Sequence, residues 1–541
     1  MLDWYKDAIF YEVSVKAFAD SNGDGIGDLR GMIGKLDYLR DLGVDAVWLL
    51  PIFPSPLRDD GYDVADYTTI HPNFGTLDDF KALLVEAHKR DLRIIVELVV
   101  NHTSDQHPWF QASRDPQHPE HARYRDWYVW SDTDQPYAET RIIFIDTEPS
   151  NWTFDPVRGQ YFWHRFFSHQ PDLNYDNPEV QKAMLRIVQY WIDLGVDGFR
   201  IDAPPYLYER EGTNCENLPE THAYLKRLRA FVDAYAPGTF LLSEANMWPE
   251  DVIQYFGDGD EVHMNYHFPL MPRIFMALAQ ADRAPILAIM ARTPELPAPC
   301  QWGTFLRCHD ELTLEMVTPE DRAFMWDFYA PEPRMRLNLG IRRRLAPLLE
   351  NDRRRIEVAN SLLLTLIGSP FIYYGDEIGM GDNIWLNDRD GVRTPMQWDA
   401  GPNAGFSDAP AARLYAPVID DAVFGYQQVN VAAQRADQAS LWHWMQRVLS
   451  IRKQHPVFGR GTLQFLTPAN PAILAYLRSD ATETILVLNN LSAESQHGAV
   501  DLSAYTGAVP RDLLGGVVQE PIGATPYTFA LAPYGYCWLA L

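Results

Sequence analysis

Eight short apolar runs, interleaved with stretches of helical spacing, constrain this chain more than any other feature. The runs cover residues 9–15, 46–50, 93–100, 198–202, 239–244, 261–267, 303–308 and 370–374. They are rich in β-branched and aromatic residues, as strands buried on both faces are. Amphipathic stretches at 77–90, 179–194, 218–234 and 353–366 lie between them. This alternation predicts an α/β chain wound as a (β/α)₈ TIM barrel. A doubly wound open sheet shares the periodicity, because pattern alone does not show closure.

The alternation breaks twice. Residues 102–178 are dense in Pro, Asp, His and Trp and carry no long helical pattern, so they read as a subdomain inserted after the third strand. From residue 458 onward, runs at 473–478, 484–489 and 536–541 alternate in the manner of short antiparallel strands, which predicts a C-terminal β-sandwich over 458–541. The barrel is then assigned to 1–101 and 179–457. A chain of 541 residues is too long for one compact core, which agrees with this division.

Composition narrows the function. Hydrophobic residues at 47% and charged residues at 22% exclude a disordered chain. A formal net charge of -27 repels phosphate backbones and argues against nucleic acid. The four cysteines, Cys215, Cys300, Cys308 and Cys537, have no paired C-x-x-C spacing, so a reducing compartment is expected. The N-terminal residues lack the features of a signal peptide and no apolar run reaches 18 residues, so neither export nor a membrane span is expected, and the expected location is the cytoplasm. Self-association is left open.

In a barrel of this type, chemistry is carried where strands end at the C-terminal face. The third strand ends in Asn101 and His102. The fourth carries Arg200 and Asp202 two residues apart, hence on one side. The fifth ends in Glu244, and the seventh in His309 and Asp310. One such carboxylate could simply cap a helix. Three carboxylates, two imidazoles and a guanidinium on one rim crowd like charges without any structural need. Paired carboxylates around one bond are the equipment of glycoside chemistry. Arg200 would keep Asp202 ionised, whereas Glu244 has no neighbouring cation in sequence, as expected of an acid held protonated.

These strand endings, with Gly61-Tyr62-Asp63-Val64 and Gln170-Pro-Asp-Leu-Asn174, closely resemble the signature regions of the α-amylase family of glycoside hydrolases. The resemblance covers essentially the whole chain. It implies Asp202 as nucleophile, Glu244 as general acid/base and Asp310 as transition-state stabiliser. It also implies that Tyr62, Asp63, His102, Arg200, His309 and Arg393 line the pocket for the transferred glucosyl ring. Glu97 stands where the family more often has Asp, and Cys308 where it has Asn.

The stretches 55–63, 206–220 and 310–316 resemble family members that convert maltose to trehalose and back. Retention of the α configuration then implies a covalent glucosyl–Asp202 intermediate, with glucose and maltose or trehalose as the partners and minor hydrolysis to glucose. An α-glucosidase is the alternative, and a catalytically dead binding protein a more remote one. No organic cofactor is expected. The 209–221 stretch reads either as a solvated loop or as a wall beside the pocket.

Two cation sites are expected. Asp20, Asn22, Asp24 and Asp28, with the Ile26 carbonyl, have the spacing of the first part of an EF-hand loop, although Gly31 replaces its closing Glu. Ca²⁺ or Mg²⁺ would suit it; a plain Gly-rich turn is the simpler reading. A second set, Asn101, Asp172, the carbonyls of Tyr206 and Leu207, and Glu209, resembles the calcium site of the family.

Overall fold

The computed structural model describes residues 3–541, so the first two residues of the 1–101 assignment lie outside the described residues. Eight parallel strands close into a barrel in sequence order. They are β1 (Phe10–Val13), β2 (Ala46–Leu49), β3 (Arg93–Val99), β4 (Gly198–Asp202), β5 (Phe240–Ser243), β6 (Met264–Tyr266), β7 (Gln301–Phe305) and β8 (Ser369–Tyr373). Nearly every strand residue is buried, which is why the runs are continuously apolar rather than alternating. Closure excludes the open-sheet alternative.

The helices form where capping and amphipathicity coincide. In α1 (Leu77–His88), Thr76 and Asp79 make a reciprocal capping box, and Phe80, Leu83, Leu84 and Ala87 form the buried stripe. In α2 (Pro178–Leu194), Asn177 caps the N-terminus, Pro178 takes the first turn, and Gly195 ends the helix at φ 106°. α3 (Pro219–Tyr235) starts on Pro219 without a side-chain cap, whereas α4 (Arg353–Thr365) is capped by Asp352.

The barrel interior has two layers. Below, Phe10 stacks on Phe371 with ring centroids 4.3 Å apart and packs on Phe240 at 5.4 Å. Gly303 leaves room there, since a Cβ would stand 3.0 Å from the Phe371 ring and 3.1 Å from Met264 Sδ. Above, Glu12, Trp48, Glu97 and Arg200 point inward from four neighbouring strands and make a polar layer. β7 ends at Phe305, three residues sooner than the sequence suggests. Beyond it the chain leaves the ladder, because Arg307 donates to Arg343 O and the His309 amide donates to Glu12.

Between β3 and β4, a three-stranded antiparallel sheet (Trp130–Ser131, Gln160–Trp163, Trp152–Asp155) packs with short helices at Pro108–Arg114 and His121–Tyr124. Bridges His102–Asp172 and Tyr128–Leu173 tie it back to the β3 end. At the C-terminus, a five-stranded antiparallel sheet faces a two-stranded one. Alternate residues serve opposite cores. Ile473, Ala475, Leu486 and Leu488 pack toward the small sheet, while Leu474, Tyr476, Ile485 and Val487 join the main core.

Candidate active site

A single guanidinium organises the rim. Arg200 is fully buried; its Nη1 donates to Asp202 Oδ1 at 2.6 Å and Glu97 Oε2 at 3.2 Å, and its Nη2 lies 2.5 Å from Glu244 Oε1. Glu244 therefore does have a cation beside it, contrary to the reading from sequence. The pair is formed across neighbouring strands, where spacing along the chain is silent. Burial nevertheless pushes the Glu244 carboxyl well above the usual carboxylate range; Arg200 opposes this, and Asp202, Asp310 and Glu97 add to it. Glu97, held by Trp48 Nε1 and the Tyr62 hydroxyl, is pushed up to about 8, chiefly by burial.

Asp310 is the opposite case. Its Oδ1 accepts from Arg389 Nη1 at 2.8 Å and Arg393 Nη2 at 3.0 Å, and His309 Nε2 lies 3.3 Å from Oδ2. Burial acts to raise its carboxyl, but His309, Arg389, Arg393 and Arg200 outweigh burial and hold it far below the usual range. The rim thus pushes one carboxyl up and holds another down, the separation that acid/base chemistry requires.

Asp202, Glu244 and Asp310 line one cavity together with Tyr62 and His102. His102 is buried, its ring 5.2 Å from Phe166, and its Nε2 has no partner in the protein. The other expected pocket residues stand behind this wall. Arg200 and His309 border a smaller space beneath the cavity. Arg393 is spent on Asp310, Asp60 and the His309 carbonyl. Asp63 is fully buried and accepts from Ser55 Oγ and the amides of Arg58 and Asp59, so it shapes the turn instead of facing the cavity.

Asp59 and Arg389 occupy the wall instead, joined at 2.5 Å, with Gln170 Nε2 donating to the second Asp59 oxygen. Sequence reasoning missed both. The signal lay four residues upstream of Arg393 and of Asp63; Asp59 falls in the stretch 55–63 already singled out, and Arg389 in none. Phe144, Phe166 and Tyr206 add aromatic faces suited to sugar rings, and Asn246 and Glu311 add polar ones. No residue of 209–221 lines the cavity. That stretch buttresses the wall through Glu216, which pairs with Arg141 at 2.8 Å and Arg165 at 2.7 Å.

Behind the wall, Asn101 Oδ1, Asp172 Oδ2 and Glu209 Oε1 are all buried without a hydrogen-bond partner. Burial pushes Asp172 up to about 8, and it pushes Glu209 well above its usual range, with Asp172 adding to the rise. Convergent orphan oxygens of this kind fit a hard cation. In the 20–28 loop the side-chain oxygens are engaged locally: Asp20 accepts from the amides of Asn22, Gly23 and Gly25 and from Ser407 Oγ, and Asp28 accepts from Ser21 and the Gly31 amide. Among the described residues, no group of three or more His, Cys, Asp or Glu side chains stands close enough to hold a metal by itself.

A closed (β/α)₈ barrel whose rim sets two carboxyls on a shared arginine and a third on two arginines of its own defines a glycoside-processing class. The alpha amylase catalytic domain matches residues 12–324 and 341–461, and the maltogenic amylase C-terminal domain matches 463–538. The chain belongs to the α-amylase family. It is 58% identical to "trehalose synthase/amylase TreS" of Mycobacterium tuberculosis (strain CDC 1551 / Oshkosh), over 99% of this chain and 90% of that protein. It is 57% identical to "trehalose synthase" of Pimelobacter sp. (strain R48), over 100% and 96%. Among solved structures, an inactive double mutant of MutB in complex with isomaltulose superposes with a TM-score of 0.80 at 28% identity, covering 99% of each chain.

Proposed function

We infer that the chain isomerises maltose to trehalose by retaining transfer of one glucosyl unit. The observation that carries the chemistry is the shared guanidinium of Arg200, which holds Asp202 and Glu244 on one fork and so supports a carboxyl pair working on one bond. Asp202 Oδ attacks the anomeric carbon of the non-reducing ring as the α-1,4 bond breaks, and Glu244 gives its proton to the departing O4. The freed glucose turns. Its anomeric hydroxyl attacks the glucosyl–Asp202 ester, Glu244 takes that hydroxyl's proton, and the α,α-1,1 bond forms. Asp310, kept ionised, favours the positively charged transition state of the glucosyl ring, and Arg389 holds Asp310 in place.

Water in place of the turned glucose would make the same site an α-glucosidase. Isotopically labelled free glucose separates the two. With unlabelled maltose, trehalose emerging nearly unlabelled supports transfer inside a closed pocket at high effective molarity. Heavy incorporation of label points to an open transglycosylase, and glucose without trehalose to hydrolysis.

The reading includes a structural Ca²⁺ held by Asn101, Asp172 and Glu209 with the carbonyls of Tyr206 and Leu207, and a second Ca²⁺ or Mg²⁺ in the 20–28 loop. Neither ion takes part in bond making. No helix is long and apolar enough to cross a membrane, among the described residues, and the four free thiols suit a reducing cytoplasm. Self-association is part of the proposal and is read by light scattering.

A further inference from the structure

Glu12 has no place in the chemistry above, yet it is a carboxylate buried to 1% exposure inside the barrel. Its Oε1 accepts from the His309 backbone amide at 2.9 Å and from the ring Nδ1–H at 2.6 Å. Among the described residues, no Lys or Arg forms an ion pair with it within 4.0 Å, and His309 is its one imidazole partner at that range. A buried carboxylate costs several kcal/mol unless it is paired and hydrogen-bonded, so this contact fixes a proton on Nδ1. The far side of the ring is then committed. Nε2 meets the Tyr62 hydroxyl at 2.8 Å and Asp310 Oδ2 at 3.3 Å, while Tyr62 stacks on the ring face at 5.4 Å and Trp48 packs edge-on at 5.6 Å.

We propose that Glu12 is a positioning residue. From the first strand it anchors His309 through Nδ1–H and the backbone amide, so that Nε2 is aimed at Tyr62 and Asp310 on the cavity wall. It touches no substrate and acts only through His309. A carboxylate that orients an imidazole by its distal nitrogen is a recurrent device, and here it spans the barrel from β1 to the loop after β7. The inference rests on the glucoside-transfer reading for its activity arm alone.

The test is a double-mutant cycle with Glu12→Gln and His309→Gln, read as kcat and KM for maltose. Glu12→Gln keeps the shape and an acceptor but removes the charge. It should lower kcat/KM by about tenfold or more, mostly in kcat, with a melting temperature close to that of the parent. The double variant should be no worse than His309→Gln alone. Additive losses, or a Glu12→Gln enzyme with unchanged kcat and KM, overturn the proposal, as does a loss that merely tracks the folded fraction.

An activity-independent arm uses ¹⁵N-histidine NMR of the unsubstituted protein, which also serves if Glu12→Gln does not fold. A strongly downfield Nδ1–H, assigned by its disappearance in His309→Gln, supports the anchor. A signal in the ordinary imidazole range, or none, overturns it. If the chain proved inactive on maltose while that signal was present, the function would fail and the anchor would stand.

Discussion

Two clusters of buried acid lie on either side of the β3 and β4 ends, and they are balanced in opposite ways. Asp202, Glu244 and Asp310 are surrounded by cations that the chain itself supplies, Arg200, Arg389, Arg393 and His309. In Asn101, Asp172 and Glu209, by contrast, one buried oxygen each finds no donor. In the first cluster, burial pushes Glu244 up while His309 and the tethered guanidiniums hold Asp310 down, which is the separation a reaction needs. In the second, nothing tethered fills the gap. A mobile ion can fill it, and the consequence is mechanical: it would join the inserted segment (Asp172) to the end of β3 and to the loop beyond Asp202. Burial alone does not distinguish a reactive acid from a structural one; the source of its counter-charge does.

Breaking the first cluster should have the largest effect. Asp202→Asn should cost roughly 10⁴-fold or more in kcat, because an amide cannot form the ester, while the melting temperature stays near that of the parent. Turnover of maltose at the parental rate would remove Asp202 from the mechanism. Glu244→Gln should cost about 10²–10⁴-fold on maltose. Its loss should shrink strongly with an aryl α-glucoside whose leaving group needs no proton, and an equal loss on both substrates would deny Glu244 the role of acid.

Breaking the second cluster should change stability far more than rate. Exhaustive chelation should lower the melting temperature by several degrees, and added Ca²⁺ should restore it. The pH dependence carries a definite sign. Asp172 is raised from 3.8 to about 8 in the folded protein, so across that window the folded state keeps a proton that the unfolded chain has lost. Without a cation, this contribution to stability falls as pH rises from about 4 to about 8 and then levels off. The melting-temperature gap between the Ca²⁺-loaded and chelated protein should therefore be wider at pH 8 than at pH 5. Asp172→Asn should flatten the chelated curve and shrink the response to Ca²⁺ to what the 20–28 loop contributes. A gap independent of pH would count against Asp172 as a ligand.

Much of the barrel was legible because burial on both faces leaves a direct trace, the continuous apolar runs of β1 to β8. Arg200 and Asp202 could be placed on one side because a strand has a fixed period. The turns were not legible in that way. Between Leu57 and Tyr62 the backbone passes through left-handed conformations at Leu57, Asp60 and Gly61, so no periodic rule tells which of Asp59 and Asp63 faces the cavity. The single turn over Asp390–Val392 likewise separates Arg389 on the wall from Arg393 behind Asp310. The Arg200–Glu244 contact joins different strands, and only closure of the sheet brings it about.

The stacked phenylalanines at the bottom of the barrel turn the active site into a blind alley. Phe10, Phe240 and Phe371 seal the axis beneath the polar layer, so nothing passes through the sheet, and a sugar freed at its base has to go back the way it came. Water must enter by that same doorway. Escape of glucose and attack by solvent are then two readings of one aperture. Variants that loosen the rim should raise label exchange and side hydrolysis together, and no rim substitution should raise one while leaving the other where it was.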